Sequence, residues 1–207
     1  MLAQNFKGTD IDTIIKALPS EQVEHMAHVG ILAGILSEEL CSCGLCSEKA
    51  DKDENKYFCK AIFYHDIGKV SVPCEILSKP GGLTDEELHI IQRHTLFADK
   101  LFIQIRDGLI SGMPVHLIPL AHDSAVYHHE WWNGNGYPYG ISHENIPLIA
   151  RVTSICDAYD AITNDRIYRK AHSHNYACCE IEKNAGIQFD PSLVKIFLDH
   201  EDEFSKK

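Results

Sequence analysis

The sequence predicts an all-α protein, a single-domain helical bundle. Apolar residues return at three- and four-residue spacing along most of the chain and hardly ever alternate, which is the period of amphipathic helices. Helix starts are marked where such runs begin: Ser20 after Pro19, Thr84, and Asp190 before Pro191. Glycine and proline gather between the runs, in residues 70–82 and 131–140.

Residues 1–20 read as an N-terminal extension with a short helix, and residues 21–207 as the main domain. The first long helix is predicted from Ser20 to about Leu40, with Val23, Ala27, Leu32 and Leu36 among its apolar positions. The run CSCGLC and the charged stretch 48–56 then form a connection, and a second helix carries YFCKAIFYHD and stops near Gly68. Pro73, Pro80, Gly81 and Gly82 make residues 70–82 a loop with one short turn. At Thr84 a capping box is available, because its side chain can take one free N–H while Glu87 reaches back to another. That helix is predicted to run to about Arg106, and the next from Pro114 to about Glu130. The following WWNGNGYPYG, with three glycines and a proline, excludes regular structure. Pro147 suits the first turn of a helix reaching Thr163, and Asp190 with Pro191 opens the last one.

With 207 residues, 44% hydrophobic and 24% charged, the composition is that of a soluble globular domain. No stretch approaches the roughly 18 apolar residues of a membrane span. The N-terminus MLAQNFKGTDIDTIIK also lacks the basic and apolar segments of a secretory signal, so a cytoplasmic location without membrane association is expected. A net charge of −11 argues against broad binding to nucleic-acid polymers, although locally bound cations can still admit a small anionic substrate. The eight cysteines therefore read as reduced thiols. Cys41, Cys43 and Cys46, with Cys59 as a fourth, are either an ordinary loop or a metal or redox cluster, and their spacing matches no closed pair of zinc knuckles. Cys178 and Cys179 read as packing residues of a helix.

The chemistry concentrates in histidines and aspartates. His65 and Asp66 place an imidazole beside a carboxylate just before a glycine, an arrangement that can bind one metal through nitrogen and share it with another through oxygen; a solvated helix end is the alternative. His128 and His129 form a second adjacent pair, and His94 lies within another helix. Asp157 sits inside the apolar run ARVTSICDAYDAI, where a buried carboxylate without a cation or hydrogen bonds costs several kcal/mol. Glu21 and His25, four residues apart, project from one helix face, as ligands or as a surface pair. Together these residues form a nitrogen-and-oxygen set without thiolate, suited to iron, manganese, cobalt or zinc.

In this order His25, HDIGK at 65–69, KPGGLTDEE at 79–87, His94, HHEWWNGNGYP at 128–138, DAYDAITNDRIYR at 157–169 and GIQFDPSLV at 186–194 resemble the HD-GYP family of the HD phosphohydrolase superfamily, from about Glu21 to Leu198. The resemblance implies a helical bundle around two or three divalent transition-metal ions, iron or manganese first, and hydrolysis of cyclic di-GMP to the linear dinucleotide or on to GMP. His25, His65, Asp66, His94, His128, His129 and Asp157 match the metal-ligand positions, with Asp66 as the bridging carboxylate. Glu21 matches the additional acidic ligand of three-metal members, and Lys69 a lysine near the scissile phosphate. Tyr137, Arg166 and Arg169 fall where the family contacts substrate.

Two positions depart from the pattern: His28 stands where the family usually has arginine and competes as a ligand, and Asn133 stands where an aspartate is common. Family members often carry a receiver or sensor domain ahead of this one, for which the first twenty residues are too few. The resemblance also implies bacterial second-messenger signalling, with the GYP loop as the contact for a signalling protein. The competing readings are an HD-type hydrolase of another nucleotide and a cyclic-dinucleotide-binding module with little catalysis.

Overall fold

The computed structural model describes residues 6–42, 52–165 and 170–206. The described chain is helical, without a strand: α1 Ile11–Lys16, α2 Ser20–Ser42, α3 Lys52–Ile62, α4 Cys74–Leu77, α5 Asp85–Gln92, α6 His94–Arg106, α7 Ile118–Tyr127, α8 Leu148–Thr163, α9 His174–Lys183, α10 Pro191–Asp199 and α11 Glu201–Phe204. Short 3-10 turns occupy Ile67–Ser71, Val115–Leu117 and His143–Asn145. Cys43, Cys46, Arg166 and Arg169 lie outside the described residues, as does the side chain of Cys41.

The long helix α2 packs on α3 and α8, while α7 packs on α3, α6 and α8, and the Ile67–Ser71 turn lies against α6. Their shared core includes Leu32, Leu36, Ile62, Leu101, Phe102 and Ile155, all but fully buried. Each such side chain contributes about 1.5–3 kcal/mol by leaving water. Along α2 the buried stripe runs through Met26, Val29, Leu32, Ala33, Leu36 and Leu40; Val23 is half-buried and Ala27, expected on that stripe, is exposed.

Several ends form as the sequence leads one to expect. Thr84 Oγ1 accepts the Glu87 N–H at 3.2 Å and Glu87 accepts the Thr84 N–H at 2.8 Å, closing the capping box of α5. Asp190 accepts the Ser192 N–H at 2.8 Å at the start of α10, and α8 follows Pro147 and ends at Thr163.

Three helices differ. The second starts at Lys52, inside the stretch expected as a connection, and stops at Ile62, three residues before His65; the one expected from Thr84 to Arg106 is broken at Arg93 into α5 and α6; and α7 ends at Tyr127, after a 3-10 turn instead of a helical start at Pro114. The ends of α3, α5 and α7 share a cause, the histidine that follows each break. The Nδ1–H groups of His65, His94 and His128 take the backbone carbonyls of Ile62 at 3.1 Å, Ile91 at 2.7 Å and Ser124 at 2.9 Å. Each side chain thus competes with the helix ladder for a carbonyl one turn behind it. At the second break the close approach of two segments adds to this: a Cβ on Gly68 would lie 2.0 Å from the His94 carbonyl oxygen, so only glycine lets the Ile67–Ser71 turn rest on the start of α6.

Candidate metal centre

The three breaks and two long helices converge. His25 projects from α2, His65 and Asp66 from the turns after α3, His94 from the first residue of α6, His128 and His129 from the end of α7, and Asp157 from α8. Their ligating atoms fall into two groups, each within 4.8 Å: Asp66, His94, His128 and His129 in one, and His25, His65 and Asp157 in the other. Every metal ligand that the sequence comparison implies therefore comes to one place, except Glu21.

Asp66 stands between the groups. Its Oδ1 is 3.4 Å from His94 Nε2 and 3.8 Å from His128 Nε2, and its Oδ2 is 3.5 Å from His25 Nε2 and 3.4 Å from His65 Nε2. One carboxylate thus turns one oxygen toward each set of imidazoles. His25 Nε2 also lies 3.3 Å from His65 Nε2 and 3.1 Å from Asp157 Oδ1.

The rings are oriented from behind. Because the Nδ1–H groups of His65, His94 and His128 are committed to backbone carbonyls, the Nε2 lone pairs face the centre, which is how outer hydrogen bonds fix the tautomer of metal-binding histidines. His25 is held by a carboxylate instead, its Nδ1 lying 2.6 Å from Asp160 Oδ2. The other Asp160 oxygen meets His28 Nδ1 and accepts from Asn164 Nδ2 at 2.7 Å. His28 thereby serves as a partner of Asp160, outside both ligand groups. Asp160 is 2% exposed and was not legible as a functional residue; the available signal was a second aspartate three residues after Asp157 in an apolar helix.

The electrostatics leave this centre prepared for cations. Burial pushes His94 down to about 3 and His129 to about 4, and holds His128 well below the imidazole range, so these rings are neutral at physiological pH and could donate to a cation. Burial opposes the Asp66 carboxylate, yet Lys69 and the neighbouring imidazoles keep its pKa well below the usual range. Burial also opposes charge on His25, but hydrogen bonds to Asp157, Asp160 and Asp66 outweigh it and push the pKa up to about 10. A metal would replace that proton.

Asp66 Oδ1, His94 Nε2 and His128 Nε2 are buried without a hydrogen-bond partner. Buried acceptors left unpaired cost about 1–3 kcal/mol each, so three in one spot fit a site made for cations. The donor set of imidazoles and carboxylates fits divalent metal ions.

A cavity of about 850 Å³ opens beside the centre, lined among others by Glu21, His25, His28, Lys69, Lys79 and Asn164. Lys69 places Nζ 2.5 Å from Asp66 Oδ2. Exposed Glu21 lies in the first turn of α2 on the cavity wall, one turn from His25 and outside both ligand groups. Tyr137 stacks on His129 with ring centroids 4.7 Å apart and 25° between planes.

The GYP loop is tied to the same helix end. Tyr137 N–H donates to the His129 carbonyl at 3.0 Å, and buried Glu130 accepts the Tyr139 N–H at 2.7 Å. Asn133 Oδ1 accepts the Asn135 N–H at 3.0 Å, so the amide at this position supplies the oxygen that holds the turn.

The chain matches the HD domain family over residues 20–193. It is 42% identical over 148 residues to a probable cyclic di-GMP phosphodiesterase of Vibrio cholerae serotype O1, covering 72% of this chain and 33% of that protein. It is 32% identical over 192 residues to a 3'3'-cGAMP-specific phosphodiesterase of the same organism, covering 92% of this chain and 34% of that one. The chain thus spans about a third of the length of these curated relatives. Among solved structures, the HD domain of an L. monocytogenes phosphodiesterase in complex with cyclic-di-AMP superposes with a TM-score of 0.57 at 16% identity, covering 93% of this chain and 94% of that one; this shows likeness of fold. No described helix is long and apolar enough to cross a membrane. With the HDIGK, HHE and GYP segments all inside the matched span, the chain belongs to the HD domain family, in its HD-GYP branch.

Proposed function

We propose that this domain is a metal-dependent phosphodiesterase that hydrolyses cyclic di-GMP to the linear dinucleotide or on to GMP, with iron or manganese as the working metal. The observation that carries the reading is Asp66, buried with one oxygen toward His94 and His128 and the other toward His25 and His65. When bound, two adjacent ions supply a water nucleophile near neutral pH and draw charge from the non-bridging phosphate oxygens.

The chain's own residues do the rest. Asp66 holds the two groups together, and His25, His65 and Asp157 on one side and His94, His128 and His129 on the other complete the ligand set. Lys69, on the cavity wall, presents a cation to the substrate phosphate as negative charge redistributes, without transferring a proton. Tyr137 extends the stack begun by His129 and offers a face for a guanine, while burial raises its hydroxyl pKa and keeps it protonated. Arg166 and Arg169 belong to the same proposal as phosphate contacts. The cavity, at about 850 Å³, is in the range of small-molecule sites, roughly 300–1,000 Å³. A protein partner would meet the GYP loop on the side of Tyr139, which is 53% exposed.

The likeness to a 3'3'-cGAMP-specific enzyme over 92% of the chain favours cyclic GMP-AMP as the second reading. Incubation of anaerobically prepared, metal-replete protein with cyclic di-GMP, cyclic GMP-AMP and cyclic di-AMP separates them. Preferential loss of cyclic di-GMP is expected; preferential loss of cyclic GMP-AMP would favour the second reading, intact cyclic di-GMP beside a nucleoside triphosphate that is cleaved when added to the same panel would refute the assignment, and binding without cleavage would favour a signalling module.

A further inference from the structure

Away from the centre, α9 and α11 assemble a second set of donors of different chemistry. His174 is the first residue of α9, Cys178 lies one turn further on, and Glu201 is the first residue of α11. A ring nitrogen of His174, the sulfur of Cys178 and a carboxylate oxygen of Glu201 lie within 4.8 Å of one another. The four-residue spacing of His174 and Cys178 puts both on one face of α9, and the chain returns through α10 to bring Glu201 to that face.

The separation of sulfur and nitrogen fits a shared metal ion. Cys178 Sγ is 3.6 Å from His174 Nε2. Zinc bonds of about 2.3 Å to sulfur and 2.0–2.1 Å to nitrogen, at the tetrahedral angle, put the two ligand atoms about 3.6 Å apart. The sulfur also lies 3.8 Å from Nδ1, nearly equidistant from the two ring nitrogens, so ion binding would require a small turn of the half-buried ring that aims Nε2 while Nδ1 stays within reach of Tyr159. Nδ1 is already engaged, 2.9 Å from the buried Tyr159 hydroxyl, which is the outer-shell hydrogen bond that a metal-bound imidazole uses. Cys178 is buried, whereas His174 and Glu201 are half-buried, so the site is closed below by sulfur and open to water above.

We propose that His174, Cys178 and Glu201 form a second metal site, which takes zinc and ties α11 to α9. A thiolate, an imidazole and a carboxylate form a softer donor set than the thiolate-free centre around Asp66, and they select zinc over manganese. Binding displaces the Cys178 thiol proton to solvent, and the thiolate and carboxylate together neutralise the dication. The link fastens α11, whose Phe204 packs with its ring 5.4 Å from Tyr159 and 4.7 Å from Phe197. The proposal is independent of the substrate assigned to the main centre.

Cobalt titration of the metal-free full chain tests it, because a thiolate-to-cobalt charge-transfer band in the near ultraviolet reports sulfur ligation that the centre around Asp66 cannot give. Each variant is read as a difference from wild type, so contributions from other cysteines cancel. Cys178→Ser is expected to lose the intensity of one thiolate site and one zinc ion per chain, with iron or manganese content and phosphodiesterase turnover unchanged. Glu201→Ala, at a half-exposed position, is expected to need more than an order of magnitude more cobalt for the same band, and it decides the matter if Cys178→Ser does not fold. An unchanged band in Cys178→Ser, or equal zinc affinity in Glu201→Ala and wild type, overturns the proposal.

Discussion

Replacing Gly136 with alanine should disable the metal centre without touching a ligand. A Cβ at this position would lie 2.2 Å from Trp131 N, 2.5 Å from the His129 carbonyl oxygen and 2.6 Å from the Glu130 carbonyl carbon. All three are backbone atoms, and ordinary contact begins near 3.4 Å, so the segment that carries His129 must retreat by about 1 Å. Overpacking of this kind costs about 1–3 kcal/mol. For a domain of this size that lowers Tm by roughly 2–12 °C. The same displacement moves His129 and the Tyr137 ring stacked on it, and a misplacement of about 1 Å can cost on the order of 100-fold in rate. Differential scanning fluorimetry, metal analysis and single-turnover hydrolysis of cyclic di-GMP on Gly136→Ala and wild type measure the three consequences. A variant with wild-type Tm, metal content and turnover would refute the reasoning that this glycine exists to let the GYP loop approach the end of α7.

Three further outcomes follow from the geometry. Asp160→Ala removes the acceptor 2.6 Å from His25 Nδ1, and metal affinity at the group containing His25 should weaken by about 10–100-fold while the group containing His94 holds its ion; titration by calorimetry would show unchanged affinity if Asp160 were only structural. Glu21→Ala should remove about one ion and leave the other two if Glu21 enlarges the centre, whereas unchanged stoichiometry with slightly lower stability would make it an acid of the first turn of α2, worth about 0.3–1 kcal/mol. His122 joins α6 to α7 through Asp99 at 3.0 Å and also meets Asp123 at 3.0 Å, and these carboxylates, Asp123 foremost, raise its pKa above 6.5. Its contribution to stability is therefore fully present below about pH 6.5 and lost as pH rises through the raised folded value; the fall in Tm over that window should be absent in His122→Gln.

The helical class was legible because α2, α5, α8 and α10 obey local rules of period and capping, down to the reciprocal Thr84 and Glu87 bonds. The misread ends of α3, α5 and α7 sit at the centre, whereas the starts of α3 at Lys52 and of α7 at Ile118 lie away from it. His65, His94 and His128 spend a ring N–H on a carbonyl three or four residues back, and the helix stops there. No periodicity reports that exchange, since it depends on a ring being turned inward by atoms from other helices. Which residues meet at the centre was legible through the motif order, whereas Asp160 was hidden because its partners His25 and His28 lie more than 130 residues away in sequence. Similarly, α9 carries Cys178 as an ordinary buried position, and its relation to Glu201 exists only once α10 has folded back.

The account rests on Asp66 as a carboxylate shared by two ions, and elemental analysis of the anaerobically prepared, metal-replete protein beside Asp66→Ala tests this most directly. The expected result is at least two iron or manganese ions per chain in the wild type and loss of both in the variant, because its two oxygens face separate ligand groups. A wild type that holds one such ion or none, or an Asp66→Ala protein that keeps both, would contradict it.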